Sequence, residues 1–296
     1  MVGKYMAKRR TKGTRRIRIG PVQAILFALL LLLAFFELPR LWEGGLTLYA
    51  FDVGQGDAFL FRLPDGSTVM IDAGTRKAAP ELVNKLRRLG VRRIDILVAS
   101  HPHEDHIGGM AKVIESFEIG KFWDSGYNHR SSVQRAMLEA IREKDIRYGR
   151  PKAGFTEAIG DVTLEVLAPG ETTIAGTASD ANNNGIVLLV TYGGVSFLMM
   201  GDLEYRGRQV AGHFPEATVL KVAHHGARNG TDKKLLGEVQ PRVAILSYGR
   251  GNSYGHPHRE TVNLLEQGGV SIYATEDGDI SMNTDGERLT VRQTRP

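Results

Sequence analysis

The chain has 296 residues, 42% of them hydrophobic, which is enough to bury a full core, and it contains nine histidines and no cysteine. Disulfides and thiolate metal sites are therefore excluded, and any metal must be held by imidazole, carboxylate or amide oxygen. The formal net charge is +5, but eight of the 38 basic residues lie in the acid-free first 20 and the remaining 30 face 33 acidic residues, so bulk charge gives no argument that the folded part binds nucleic acid.

Residues 1–20 read as a basic cytoplasmic tail. Pro21–Phe36 follows as an uncharged apolar run of 16 residues. At ~1.5 Å per residue a helix there reaches ~24 Å, short of the ~30 Å hydrocarbon core unless Leu38, Leu41 and the flanks extend it. The expectation is a membrane-anchor helix within 21–43, with the basic flank cytoplasmic and a catalytic domain, 44–296, held outside the cell membrane by a single pass. A cleaved signal segment, giving a secreted protein, and a buried helix are the alternatives. Against cleavage, ELPRLWEGG offers no small-x-small site.

From Leu46 the pattern changes to short apolar strands punctuated by Gly, Asp and Pro: LTLYAFDV, DAFLFRL and STVMIDAG. The turns Gly54–Asp57 and Pro64–Gly66 between them predict an antiparallel start to a sheet. Helical spacing appears at Pro80–Leu89, a buried strand at Ile94–Ala99 and a helix at Ser131–Glu143. Strands are expected at Val162–Leu167, Ile186–Tyr192, Val195–Met200, Thr218–Ala223, Val243–Ser247 and Ser271–Ala274. Helices are expected at Tyr205–Ala211, Lys233–Glu238 and His258–Gln267. Pro169–Gly185, rich in Gly, Thr, Ala and Asn, reads as a long loop of the kind that often carries function. Two successive blocks of strands followed by helices predict an α/β fold with two sheets face to face and helices outside each, a four-layer αββα sandwich behind the N-terminal membrane-anchor helix.

After the apolar strand IDILVAS the chain reads His101-Pro102-His103-Glu104-Asp105-His106-Ile107-Gly108-Gly109. Three imidazoles and two carboxylates within six residues, at a strand's end and before a helix, have no economical structural explanation. In an extended turn His101 and His103 project to one side and can share a metal, while Asp105 and His106 reach a second position.

HPHEDH resembles the HxHxDH signature of the metallo-β-lactamase superfamily, and Asp72 in MIDAG matches the acidic residue that precedes it. The segments FDVGQGDAFL, ASHPHEDHIGG, NNNGIVLLVTYGGVSFLMMGD, VLKVAHHGA and SYGRGNSYGHP are similar, in order and spacing, to the hydrolase domain of the ComEC family of competence DNA-uptake proteins, from about Leu46 to Arg292, without that family's multi-helix channel. The resemblance implies two divalent metal ions, Zn²⁺ or Mn²⁺, held by His101, His103, Asp105, His106, Asp202 and His225, with Asp202 bridging. It leaves His224 or His225 as the late ligand, with His225 aligning better because it precedes Gly226. His256 is a candidate to orient substrate, donate a proton or bind metal. His129, His213 and His258 receive no role.

Most superfamily members place another metal histidine between the first cluster and the bridging aspartate, whereas this chain has Asn182, Asn183 and Asn184 there. An amide oxygen from Asn183 or Asn184, or a water, in place of an imidazole makes that shell harder and favours Mn²⁺ or Mg²⁺ more than an all-nitrogen site does. Asp72 and His224 are expected behind the ligands or against substrate. The implied activity is metal-dependent hydrolysis, with Asp105, His225 and His256 catalytic and the substrate a phosphodiester, foremost extracytoplasmic DNA. Lactone or β-lactam hydrolysis is the enzymatic alternative, and a metal-stabilised surface binding module the non-enzymatic one. The partners expected are DNA or another phosphodiester and the membrane through the N-terminal helix; no protein partner is inferred.

Overall fold

Alternation along the first strand sets the pattern for the whole molecule. In β1 (Leu46–Ala50), Leu46, Leu48 and Ala50 are buried while Thr47 and Tyr49 are half-buried, so one face of the strand is committed to an apolar centre. The chain is seen here in a computed structural model that describes residue 20 and residues 44–294, and Gly44–Pro296 cluster as one compact unit. β1 is followed by β2 (Phe59–Arg62), β3 (Thr68–Ile71), α1 (Ala79–Arg88), β4 (Arg93–Ala99), α2 (Glu104–Ile107), α3 (Met110–Ser116), β5 (Glu118–Asp124), α4 (Ser132–Glu143) and β6 (Arg147–Gly149). The second half holds β7 (Thr156–Ile159), β8 (Val162–Ala168), α5 (Asp180–Asn183), β9 (Val187–Tyr192), β10 (Val195–Met199), α6 (Tyr205–Ala211), β11 (Val219–Lys221), α7 (Lys233–Val239), β12 (Val243–Leu246), α8 (Arg259–Gln267) and β13 (Ser271–Ala274). The last strands, β14 (Ile280–Thr284) and β15 (Leu289–Gln293), return to the first sheet.

That sheet has the order β15-β14-β1-β2-β3-β4-β5-β6, and the second has β13-β12-β11-β10-β9-β8-β7. Strands β3 to β6 run parallel, as do β10 to β13, and the remaining neighbours are antiparallel. Phe61 from one sheet meets Phe197 from the other edge to face, with ring centres 5.5 Å apart, inside the apolar layer between the sheets. The reverse faces are covered by helices. Leu82 and Leu86 of α1, Val113 of α3 and Met137 of α4 pack on the first sheet, and Leu235 of α7 and Leu265 of α8 on the second. The result is the expected four-layer αββα sandwich.

Element positions agree with the sequence periodicity to within about two residues where the apolar signal is strong. Weakly patterned strands are additions: β7 and β15 have every residue half-buried or exposed, and β5 mixes Glu118 and Lys121 with aromatic residues. The expected long loop 169–185 contains the single turn α5, capped by the Ser179 side chain.

The N-terminal part of the expected fold needs correction. No helix among the described residues is long and apolar enough to cross a membrane. The longest of them, α4, has 12 residues, or ~18 Å at ~1.5 Å per residue, against the ~30 Å a span requires. The expected anchor, 21–43, lies outside the described residues. The membrane-anchor helix, the membrane as a partner and the single-pass cell-membrane location with an extracytoplasmic domain are accordingly withdrawn.

Candidate metal centre

Strands of both sheets deliver the site residues from their carboxyl ends, where α/β sheets generally present their binding crevices. β3 runs into Asp72, β4 into Ser100 and His101, β10 into the turn with Asp202, and β11 into a turn bearing His224 and His225. The last two adopt left-handed backbone at φ +51 and +53, which costs a non-glycine residue about 1–2 kcal/mol each and marks a turn held by its surroundings. Gly56 is required for a different reason. A Cβ there would stand 2.1 Å from the carbonyl oxygen of Asp105, and the next residue, Asp57, donates its N–H to that same carbonyl.

The histidines fall into two groups that share Asp202. In the first, His101 Nε2 lies 3.1 Å from His103 Nδ1 and 3.8 Å from Asp202 Oδ2. In the second, His106 Nε2 and His225 Nε2 are 3.3 Å apart; His106 Nε2 is 3.3 Å from Asp202 Oδ1, and His225 Nε2 is 3.4 Å from Asp202 Oδ2. Asp105 Oδ2 closes that group 3.2 Å from His225 Nε2. All six of the expected ligands therefore converge.

What lies behind the imidazoles fixes which nitrogen faces the centre. Asp72, itself left-handed at φ +59, accepts from the Ser100 N–H and Oγ and takes the His106 Nδ1 proton at 2.7 Å. His225 Nδ1 donates to the Ser247 carbonyl at 2.7 Å, and since a carbonyl only accepts, that nitrogen carries a proton. Both Nε2 atoms are thus left for the centre. Asp72 thus lies behind His106, on the side of the ring away from the centre.

The electrostatics suit a divalent cation. Burial by itself raises a carboxylate, yet His225 and His106 hold Asp202 well below the usual range. Burial likewise depresses a histidine, but Asp202, Asp72, Asp105 and Asp57 push His106 well above its ordinary value, and Asp202 and Asp57 do the same for His225. His101 is pushed well below by burial and by His106, so its neutral form presents a lone pair. The donors are nitrogen and carboxylate oxygen, and Asp202 Oδ1 is buried without a hydrogen-bond partner. This Asp/His cluster fits two divalent metal ions.

Several residues of the centre were not read from the sequence. Asp57 lies within 4.8 Å of the donor atoms of His106, Asp202 and His225, but its contacts are with the Nδ1 atoms of those histidines and with Lys221 Nζ at 2.5 Å. It therefore supports the centre from behind. Lys221 is fully buried, 3.7 Å from Asp202, and donates to the Gly201 carbonyl at 3.0 Å. A lysine inside the apolar strand TVLKVA was the available signal. His224 reaches Asp202 at 3.8 Å and Glu204 at 3.4 Å. His256 stands 5.4 Å from His224, ring to ring, and burial together with His224 lowers it to about 4.

The asparagines divide differently from expectation. Asn183 Oδ1 accepts from Gly207 N–H and its amide donates to Ser179 O and Thr177 Oγ1; Asn184 bonds Ile174 through both amide atoms. Both staple the loop. Asn182 donates to Glu204 at 3.1 Å, and its oxygen alone among the three is buried without a partner. His129, given no role earlier, stacks edge-on to His103 with centres 5.2 Å apart.

Comparison with known proteins follows the same lines. A family model described as Metallo-beta-lactamase superfamily matches residues 51–250. The chain is 30% identical over 246 residues to ComE operon protein 3 of Bacillus subtilis, covering 76% of this chain and 31% of that protein. It is 28% identical over 256 residues to Recombination protein 2 of Haemophilus influenzae, covering 82% and 29%. It spans about a third of the length of these curated relatives. Among solved structures, the metallo-beta-lactamase fold protein YhfI from Bacillus subtilis superposes with a TM-score of 0.51 at 12% identity, covering 84% of this chain and 100% of that one, a likeness of fold.

Proposed function

The chain belongs to the metallo-β-lactamase superfamily and is a metal-dependent hydrolase, and from that premise we propose that its substrate is a phosphodiester, DNA foremost. The observation that carries this reading is the position of Asp202, whose two oxygens face both histidine groups. Two divalent ions held there would supply an activated water near neutral pH and stabilise the charge of a displacement at phosphorus. The resemblance to the ComEC hydrolase domain supports the choice of DNA, as does the similarity to a protein named for recombination. Lactone or β-lactam hydrolysis calls for a more apolar pocket than a rim of His103, His129, His224 and His256.

The chain's own residues have separable tasks. His101, His103, His106, His225, Asp105 and Asp202 hold the ions, and Asp72 and Ser247 keep the Nε2 atoms of His106 and His225 turned toward them. His256, lowered to about 4, is neutral at pH 7 and so offers substrate a hydrogen-bonding imidazole rather than an imidazolium. His224, backed by Glu204, borders Asp202 from the solvent side.

The full chain, stripped and reloaded with Mn²⁺ or Zn²⁺, should cleave single- or double-stranded DNA and leave a chromogenic lactam intact. His101→Ala and Asp202→Asn should fold normally by circular dichroism and lose bound metal and turnover together. Full metal content and turnover in either variant contradicts the ligand set, and lactam opening without DNA cleavage contradicts the substrate.

A further inference from the structure

The segment between β5 and α4 joins the metal centre to a basic groove. Gln134, buried in the first turn of α4, accepts with Oε1 from the backbone N–H of both His129 (2.9 Å) and Arg130 (3.0 Å), and its amide donates to the Tyr127 carbonyl at 2.8 Å. Arg130 is held in left-handed backbone at φ +57. One buried side chain thus pins a loop that sets the His129 ring against His103. Next to it opens a groove of about 480 Å³ whose lining includes Arg130, Arg135, Leu138, Glu139 and Arg142.

Positions 135, 138, 139 and 142 fall on one face of a 3.6-residue helix. None of the three guanidinium groups forms an ion pair among the described residues, and Glu139 is the one carboxylate of the lining. Three cations therefore face one anion on a body whose overall charge is slightly negative. Leu138, 39% exposed, adds an apolar step between the arginines. Alternating guanidinium and apolar surface suits a polymer whose phosphates alternate with sugar and base faces.

The geometry points to this groove as a binding site for the phosphate backbone of a nucleic-acid strand that passes His129 and His103 into the metal centre. This deepens the phosphodiesterase reading and rests on it for the identity of the strand that is cut; binding in the groove is measured separately from cutting.

The test uses the full metal-loaded chain and a fluorescein-labelled phosphorothioate oligothymidylate, followed by anisotropy across a salt series. The variant Arg130→Gln/Arg135→Gln/Arg142→Gln should bind roughly tenfold more weakly and flatten the slope of log affinity against log salt by about 2, since each single-strand phosphate contact contributes ~0.7. A control with the same loss of charge elsewhere on the surface, Lys233→Gln/Arg242→Gln/Arg292→Gln, should keep the wild-type slope. Unchanged affinity and slope in the groove variant overturn the proposal. So does an equal loss in the control, which would reduce the effect to bulk charge, or oligoglutamate binding as tightly as the oligonucleotide, which would assign the groove to acidic peptides. Turnover of bis(4-nitrophenyl) phosphate by the wild-type chain is the separate check on the phosphodiesterase reading. Groove-dependent binding without such turnover keeps the binding site and discards the nuclease.

Discussion

Lys221 sits with no exposed surface between Asp57 and Asp202, an arrangement that removing either partner exposes as an uncompensated charge. Burial lowers a lysine, but Asp57 and Asp202 raise this one; burial raises a carboxylate, but Lys221 and the neighbouring histidines lower Asp57. Both shifts favour the charged forms. The Asp57 contribution is present above the ordinary carboxylate range and lost as pH falls through its depressed value, while that of Lys221 is present below the ordinary lysine range and lost as pH rises through its raised value. Lys221→Met should therefore cost about 3–5 kcal/mol near neutral pH by taking from the buried Asp57 its shortest ion-pair contact and leaving it only the histidine Nδ1 atoms. Urea unfolding gives the number, and a loss under 1 kcal/mol would mean that solvent reaches Asp57.

At the scale of elements, α4 does two jobs with one first turn. The Ser131 side chain accepts from the Gln134 N–H at 3.2 Å and caps the helix, and the same Gln134 holds the loop of His129 and Arg130 through its side chain. Ser131→Ala should cost ~1 kcal/mol, the usual value of a lost N-cap, and lower the melting temperature by about 2–4 °C for a body of this size. Amide hydrogen exchange should quicken at residues 129–134 and stay as in the wild type in α1. Uniform exchange across both helices would show that packing on the sheet alone positions the loop.

At the scale of the whole molecule, the two sheets bring Asp57, Asp72, Asp105 and Asp202 to one centre, and their mutual repulsion must be met by protons or by metal. His106 and His225 lie above their ordinary value because of those carboxylates. Raised histidines contribute stability that is complete below pH ~6.5 and lost as pH rises through the folded values. His101 and His103 are lowered, first by burial, and their opposite contribution is complete by that same pH. In chelator, the melting temperature should thus fall as pH rises above ~6.5. With saturating Mn²⁺ or Zn²⁺ the stabilisation should grow over the same interval, because binding requires deprotonated imidazoles. Calorimetry at several pH values decides this, and a metal-induced increment independent of pH would contradict the assignment of His106 and His225 as ligands.

The sequence alone determined the layers of the sandwich and the local part of the centre. Period-two burial in strands such as β1 and β8 is written residue by residue, and the histidines of HPHEDH are bound to be neighbours because six consecutive residues at a strand end cannot be far apart. Strands with little to bury, β7 and β15, left no such trace, and the apolar run at 21–36 was read as an anchor that no described helix provides. Only the tertiary structure decided the rest. Lys221 meets Asp57 across 164 positions of chain because β11 and the turn before β2 converge between the sheets. Asn182 rather than Asn183 or Asn184 keeps an unpartnered oxygen because of where one helical turn points each amide, and His129 reaches His103 because Gln134 folds the loop back. Periodicity reports which face of an element is buried; partners distant in the chain are chosen by the packing of those faces against each other.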